Sequence, residues 1–271
     1  SPAGLKDRIF QLTNQLNHGI YIINQQTERD ELAQLNLNAC RRAKSTIAYQ
    51  AGLKYCKIGL SLLGENSWQR QYEMSLAFHE LGAELASLCG EFDEMERFIE
   101  IAIAQASSLI EKVNVYRIRI LSNVSQNKLT EAFDIAKNIL EQLGVNFPEA
   151  TLEEDIQQII TVITKLIGNR DIEDLVDLPR MSDAEKIAIV DITNSIIPAV
   201  YISNPRLFPF VVSLSVKLSI QYGNTPASVL AYACYGLICC NLKQDMNAGV
   251  KFGKLALELA FILNIKGVKS D

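Results

Sequence analysis

The stretch that decides the fold is residues 81–102, Leu-Gly-Ala-Glu-Leu-Ala-Ser-Leu-Cys-Gly-Glu-Phe-Asp-Glu-Met-Glu-Arg-Phe-Ile-Glu-Ile-Ala. Its first half carries three small residues at which another helix can approach closely, namely Gly82, Ala83 and Ala86. Gly90 accepts a positive φ at little cost and therefore ends this helix. Its second half carries apolar residues at helical spacing, namely Met95, Ile99 and Ala102. The stretch predicts two helices that fold back on each other around Gly90.

The second helix of this hairpin recurs in weaker copies along the chain. The copies align on a residue that is followed by apolar or small residues four and seven positions later, and they start at Ala51, Met95, Ala132 and Gly249. Their spacing gives a period of about 40 residues, longer than the usual tetratricopeptide length. The repeats predict an all-α, right-handed superhelix of antiparallel helical hairpins, a degenerate tetratricopeptide-like α-solenoid.

The sequence also predicts local boundaries. We expect a single repeat domain over 1–271, with a looser, less repeat-like part over 150–225. Asn127 takes the position that Gly90 occupies in its hairpin, because Asn also tolerates the left-handed conformation. Ser45 is expected to cap a helix over 48–63. Ser182 opens a capping-box pattern for a helix that is expected to reach Pro198.

Composition and charge exclude several classes of protein. The chain has a net charge of -5, whereas a dedicated nucleic-acid binder usually shows a basic face. No run reaches the eighteen or so apolar residues of a membrane span. The six cysteines show no C-x-x-C pair, and this predicts reduced thiols in a cytoplasmic protein. The opening Ser-Pro-Ala-Gly, without Met, suggests a fragment of a longer chain.

Catalytic and metal-binding patterns are also missing from the sequence. His79 precedes Glu80, but Ala83 stands where a zinc-protease helix needs its second His. We therefore expect His79 to be a packing residue. Neither the phosphate-loop pattern nor the kinase motifs occur. We therefore predict that the chain is not an enzyme and that it binds neither a metal nor a cofactor.

Four strings resemble one known helical region: residues 28–37 (ERDELAQLNL), 141–148 (EQLGVNFP), 172–175 (IEDL) and 231–237 (AYACYGL). They are similar to the tetratricopeptide-like segment of large multidomain signalling kinases of the cyanobacterial type. Those proteins combine a serine/threonine kinase, a STAND-type AAA ATPase, this helical segment, a GAF domain and a histidine kinase. The resemblance covers the chain from about Ile9 onward.

The resemblance implies a place within a signalling protein. It implies a non-enzymatic interaction and regulatory module that couples an ATPase switch to kinase output. Its partners would be other domains of the same polypeptide or a partner protein, without nucleic acid or membrane. An alternative is a small-molecule sensor whose pocket is lined by five aromatic residues: Tyr201, Phe208, Phe210, Tyr232 and Tyr235.

In tetratricopeptide-type arrays the first helix of each hairpin lines a concave groove. Carried over to this chain, the groove would consist of Asn36, Cys40, Glu80, Glu84, Asn114, Arg117 and Leu121. An extended peptide or a neighbouring domain would occupy it, and the charged residues Glu80, Glu84 and Arg117 would set its charge preference. Ordinary solvated surface is the alternative, as it is for the basic cluster of Arg41, Arg42 and Lys44.

Overall fold

The computed structural model describes residues 2–147 and 152–269, with side chains over 8–147 and 153–263. These residues form helices joined by turns, and no β-strand occurs among them. The prediction of an all-α fold is therefore confirmed. By their contacts the residues divide into two compact units, Ser1–Arg119 and Ile120–Asp271. The expected single domain over 1–271 and its right-handed superhelix stay predictions.

The first unit is built from helical hairpins. Its helices are α1 (Pro2–His18), α2 (Gln26–Ser45), α3 (Tyr49–Leu63), the single turn α4 (Ser67–Arg70), α5 (Tyr72–Cys89), α6 (Phe92–Gln105) and the start of α7 (Leu109–Ser125). Helix α2 pairs with α3, α5 pairs with α6, and α3 and α5 join the two hairpins. Helices α2, α3, α5 and α6 each bury one apolar face against their neighbours.

The second unit contains the remaining helices. They are α8 (Leu129–Gln142), α9 (Leu152–Ile167), α10 (Ala184–Ser203), α11 (Phe208–Tyr222), α12 (Ser228–Asn241) and α13 (Met246–Lys269), with a 3₁₀ turn at Glu173–Asp177. Helix α8 contacts α10, and α9 contacts α11, so chain neighbours are not always neighbours in space. This exchange of partners accounts for the loose repeat pattern predicted over 150–225.

Three hairpin turns share one geometry. Ile47, Gly90 and Asn127 have positive φ angles of 63°, 77° and 59°. In each turn the next residue donates its N–H to a carbonyl five positions back, over 2.8 to 2.9 Å. This is the hydrogen-bond pattern of a Schellman motif, which satisfies the last carbonyls of a helix. The turns predicted at Gly90 and Asn127 are confirmed, and the one at Ile47 belongs to the same series.

These turns correct the register of the first repeat. The helices that follow the three turns start at Tyr49, Phe92 and Leu129. Met95 and Ala132 are each the fourth residue of their helix. The equivalent fourth residue of the first of these helices is Gly52. Ala51, which the sequence alignment used, is exposed, whereas Gly52 is buried. Small residues occupy both positions, and this is why spacing alone chose the wrong one. A Cβ at Gly52 would lie 3.1 Å from a methyl group of Leu85.

Two predicted helix boundaries are wrong. Ser45 is the last residue of α2 and donates its hydroxyl to the carbonyl of Arg42 over 2.9 Å, so it caps no following helix. Asp183, and not Ser182, caps α10 by accepting the N–H groups of Glu185 and Lys186. A carboxylate accepts such N–H bonds better than a hydroxyl does.

Helix α10 continues past Pro198 to Ser203. Proline removes one backbone hydrogen bond from a helix, but its neighbours Ala199 and Val200 are fully buried, and we attribute the continuation to that packing. The helix is long and apolar enough to cross a membrane, with a mean hydropathy of 1.3. However, 56% of that segment is buried within the structure.

Candidate interaction groove

The first unit carries a groove between α2, α5 and the start of α7. Its volume is about 280 Å³. Helix α5 contributes four residues at positions i, i+3, i+4 and i+7, which share one helix face: Ala77, Glu80, Leu81 and Glu84. Helix α2 adds Arg41 and Lys44, and α7 adds Asn114, Arg117 and Ile118. The groove thus combines aliphatic side chains with charged ones of both signs.

The charged residues are already arranged by contacts across the groove. Lys44 Nζ lies 2.6 Å from Glu84 Oε2, and Asn114 Nδ2 donates to Glu80 Oε1 over 3.1 Å. Burial raises the pKa of Glu80, although the Asn114 hydrogen bond and the charge of Arg117 oppose this. Lys44 and Glu84 keep about a third of their side-chain surface exposed. The polar atoms are therefore positioned before any partner binds.

The structure brings together four of the seven predicted groove residues: Glu80, Glu84, Asn114 and Arg117. Leu121 is 46% exposed and belongs to the second unit. The predicted placement of Asn36 and Cys40 in the groove is wrong, because both side chains are fully buried in the core of the first unit.

Asn36 and Cys40 are buried because their side of α2 faces other helices. The amide of Asn36 exchanges two hydrogen bonds of 2.9 Å with the amide of Asn17, and these tie α1 to α2. The neighbouring Cys40 thiol, together with burial, raises the pKa of Cys56. The Cys56 thiol also donates to the carbonyl of Phe78 over 3.1 Å.

Arg41 and Lys44 are groove residues that the sequence interpretation assigned to solvated surface. Arg41 is exposed, but Lys44 is paired with Glu84, forty residues further along the chain. That separation equals the repeat period, so a search for opposite charges one repeat apart could have found the pair. The i, i+3 spacing of Arg41 and Lys44 places both on one face of α2.

A capping box orients the start of α7, and the sequence interpretation overlooked it. Glu111 Oε2 accepts the N–H groups of Ser107 and Ser108 over 2.7 and 3.1 Å, and the hydroxyl of Tyr72 over 2.8 Å. The Tyr72 hydrogen bond lowers the pKa of Glu111. The signal was present as Ser-x-x-Glu at 108–111. This cap holds α7 against α5 and so places Asn114 and Arg117 at the groove.

The five aromatic residues proposed for a sensor pocket do not converge. Tyr232 and Tyr235 are 0% and 1% exposed and contact Phe252 in the core of the second unit. Tyr201 is 62% exposed and contacts Phe208, while Phe210 contacts Phe147. The expected pocket is wrong because two of these side chains lie in the core, Tyr201 lies on the surface, and the remaining two contact different rings.

His79 is a packing residue, as predicted. Its Nδ1 lies 2.7 Å from the carbonyl oxygen of Ser75, and its ring lies between Trp68 and Phe98, at 4.9 and 5.9 Å. Burial lowers its pKa, so the ring is held neutral. Among the described residues, no three His, Cys, Asp or Glu side chains are grouped closely enough to hold a metal ion.

Comparison with known proteins places the chain near signalling proteins. No protein-family model matches it, and no solved structure matches it. The chain is 24% identical over 278 residues to hybrid signal transduction histidine kinase G of Dictyostelium discoideum. The match covers 93% of this chain but 8% of that protein. The chain is thus an all-helical region with distant similarity to a segment of a signal transduction histidine kinase.

Proposed function

We propose that this chain is a non-enzymatic protein-interaction module of a multidomain signalling kinase, and that the groove of the first unit binds its partner. The partner is an extended segment of another domain of the same polypeptide or of a partner protein. The observation that carries the proposal is the set of groove side chains already held in place by Lys44–Glu84 and Glu80–Asn114. Such preorganisation lowers the entropy cost of binding.

The groove's charges define what it can recognise. Glu84 is paired with Lys44, and Glu80 is bound by Asn114, so both carboxylates have partners within the chain. Arg41 is exposed at the rim. A partner segment therefore gains most from an aliphatic side chain placed against Leu81 and Ile118 and a carboxylate placed near Arg41.

Regulation follows from differential binding. A partner that binds more tightly to one arrangement of the helices shifts the equilibrium of whatever domains are attached to the chain. In this proposal those domains are an ATPase switch and a kinase, and the module acts in the cytoplasm. The six free cysteines are consistent with a reducing compartment.

The test uses the purified chain on a biosensor surface and, as probes, the separately expressed flanking domains of the full-length polypeptide. We expect at least one domain to bind the wild-type chain, and we expect Arg41→Glu and Lys44→Glu to weaken that binding at least tenfold. The matched control is Lys54→Glu on α3, which makes the same charge change at an exposed position outside the groove. Lack of binding by every domain, or equal binding by all variants, would contradict the proposal.

A further inference from the structure

Helix α13 exposes a continuous apolar stripe. Four of its large side chains are more than half exposed: Met246 (64%), Val250 (55%), Leu257 (76%) and Phe261 (68%). With about 100° of rotation per residue, these positions and Gly253 fall within an arc of about 80° on the helix. Apolar side chains scattered singly over a surface need no explanation, but an aligned row marks an interaction site.

Gly253 lies at the centre of the stripe, and the space that a side chain there would occupy is empty within the chain. A Cβ added there would meet nothing within 4 Å, although glycine inside a helix is less favourable than alanine. The neighbouring Gly249 differs, because a Cβ there would approach the carbonyl oxygen of Gly236 to 3.0 Å. Gly249 is thus explained by the contact of α13 with α12. Gly253 is explained if the backbone of another helix approaches at that point.

The exposed apolar residues of the stripe are spaced symmetrically about a point next to Gly253. Met246 and Phe261 lie at equal distances from the midpoint between residues 253 and 254, and so do Val250 and Leu257. In an antiparallel pair of identical helices, a twofold axis at this midpoint would place Val250 against Leu257 of the second copy and Met246 against Phe261. A surface that is complementary to itself in this way is what a twofold dimer requires.

The size of the stripe is also suited to a second copy. Since a whole aromatic side chain can bury 150–250 Å², the four exposed side chains offer roughly 500 Å² per copy. Two copies would bury about 1,000 Å², the lower limit for a specific interface. Lys254 borders the axis but extends to Glu173 at 3.4 Å, and Lys251 pairs with Asp171 at 2.9 Å. Both ammonium groups thus have partners on their own copy.

We propose that the chain forms a weak, twofold-symmetric dimer through antiparallel packing of the α13 stripes, with the two Gly253 residues close to the axis. The dimer leaves the groove of the first unit out of the interface, so it does not depend on the proposed function. An interface of this small size corresponds to weak, transient association.

Sedimentation velocity of the full chain from 2 to 200 μM tests the dimer. We expect a rise from monomer to dimer, and we expect Leu257→Lys to abolish it. Gly253→Ala should keep or raise the melting temperature, because nothing within the chain is displaced, and should raise the dissociation constant at least tenfold. Leu237→Lys on α12, an aliphatic position that is also more than half exposed but lies outside the stripe, is the matched control and should leave the dimer unchanged.

A double variant tests the antiparallel register. Val250→Glu and Leu257→Lys should each weaken the dimer. The double variant should dimerise with a dissociation constant at least tenfold lower than that of either single variant, because each new carboxylate faces an ammonium of the other copy. In a parallel pair, like charges would face each other and the double variant would be the weakest. A wild-type chain that stays monomeric at 200 μM, or a Gly253→Ala variant that dimerises normally, would overturn the proposal.

Discussion

The two units use helices of different character. In the first unit, helices such as α6 bury a single face, with Met95, Phe98, Ile99 and Ala102 inside and charged residues outside. In the second unit α10, α11 and α12 are apolar nearly all round, and α11 has α9, α10 and α12 as neighbours. Helices buried on several sides lose amphipathic periodicity. A repeat pattern can therefore be recognised in the sequence where each helix has one buried face. It is lost where a helix is surrounded by several others.

The units also differ in how buried polar groups are held. In the first unit Asn36 pairs with Asn17 between adjacent helices. In the second unit Asn224 fixes a long-range junction. It donates to the carbonyl of Leu175 over 2.8 Å and accepts the hydroxyl of Tyr232 over 2.9 Å. In the second unit this buried polar side chain is thus held by a residue 49 positions away along the chain, whereas Asn36 and Asn17 are 19 positions apart.

The largest expected effect concerns the repeat packing of the first unit. Phe78 is fully buried, and its ring occupies the space that a Cβ at Gly59 would need. Phe78→Ala should reduce the free energy of unfolding by about 3–5 kcal/mol. The measurement is urea unfolding followed by the fluorescence of Trp68, which is the single Trp of the chain and lies in this unit.

A coupled variant separates packing from general damage. Gly59→Ala alone should cost about 1–3 kcal/mol because of overpacking. In the Phe78→Ala background the same change should cost nothing, because the ring is gone. Additive losses in the double variant would show that the two helices do not interlock at this point.

The next largest effect tests the polar junction of the second unit. Asn224→Ala leaves the buried hydroxyl of Tyr232 unpaired and leaves the carbonyl of Leu175 with the N–H of Leu178 as its remaining donor. The change should cost about 1–3 kcal/mol in urea unfolding followed by circular dichroism. The control is Ser215→Ala, since the fully buried Ser215 hydroxyl has no partner among the described residues. Its loss should not reduce stability, because no hydrogen bond is removed with it. Equal losses in both variants would show that the Asn224 junction contributes no more than an unpaired buried hydroxyl.

Much of the fold could be predicted because hairpin turns carry local signals. Gly90 and Asn127 are residues that tolerate positive φ, and their turns were predicted correctly. Ile47 gives no such signal, because a β-branched side chain is unfavourable in that conformation. The first repeat was therefore shifted by one residue. Its correct register depends on the contact of Gly52 with Leu85, more than thirty residues away.

The candidate site was predictable only in part, for a similar reason. Glu80, Glu84, Asn114 and Arg117 are long or charged, and helical spacing grouped these four residues, which line one groove in the structure. Asn36 and Cys40 are small enough to be either buried or exposed, and their neighbours on other helices decide the outcome: Asn17 of α1 for Asn36, and Cys56 of α3 for Cys40. Periodicity gives the face of a helix but does not say which neighbour covers that face.

A smaller effect, of opposite sign, is expected at the turn of the first hairpin. Ile47 has a φ of 63° and is 75% exposed, so it is strained and makes few contacts. Ile47→Gly should raise the free energy of unfolding by about 1 kcal/mol by relieving that strain. Asn127→Gly makes the matched change at the equivalent turn and should alter stability by less than about 0.5 kcal/mol, since Asn tolerates this conformation. A destabilised Ile47→Gly would mean that the Ile47 side chain has a structural role.

The smallest expected effect is a pH dependence at the junction of Trp68, His79 and Phe98. Burial lowers the pKa of His79 below its ordinary value of 6.5, so the unfolded chain takes up the proton more readily than the folded chain does. Stability is therefore fully present above about pH 6.5 and is lost as the pH falls through the lower, folded pKa. His79→Gln cannot be protonated and can still donate to Ser75. We therefore expect wild type to lose stability relative to this variant between pH 8 and pH 5, measured by urea unfolding with Trp68 fluorescence. A constant difference between the two proteins would show that the imidazole is no less solvated than in the unfolded chain, and the first unit would then be more open at this junction than its contacts indicate.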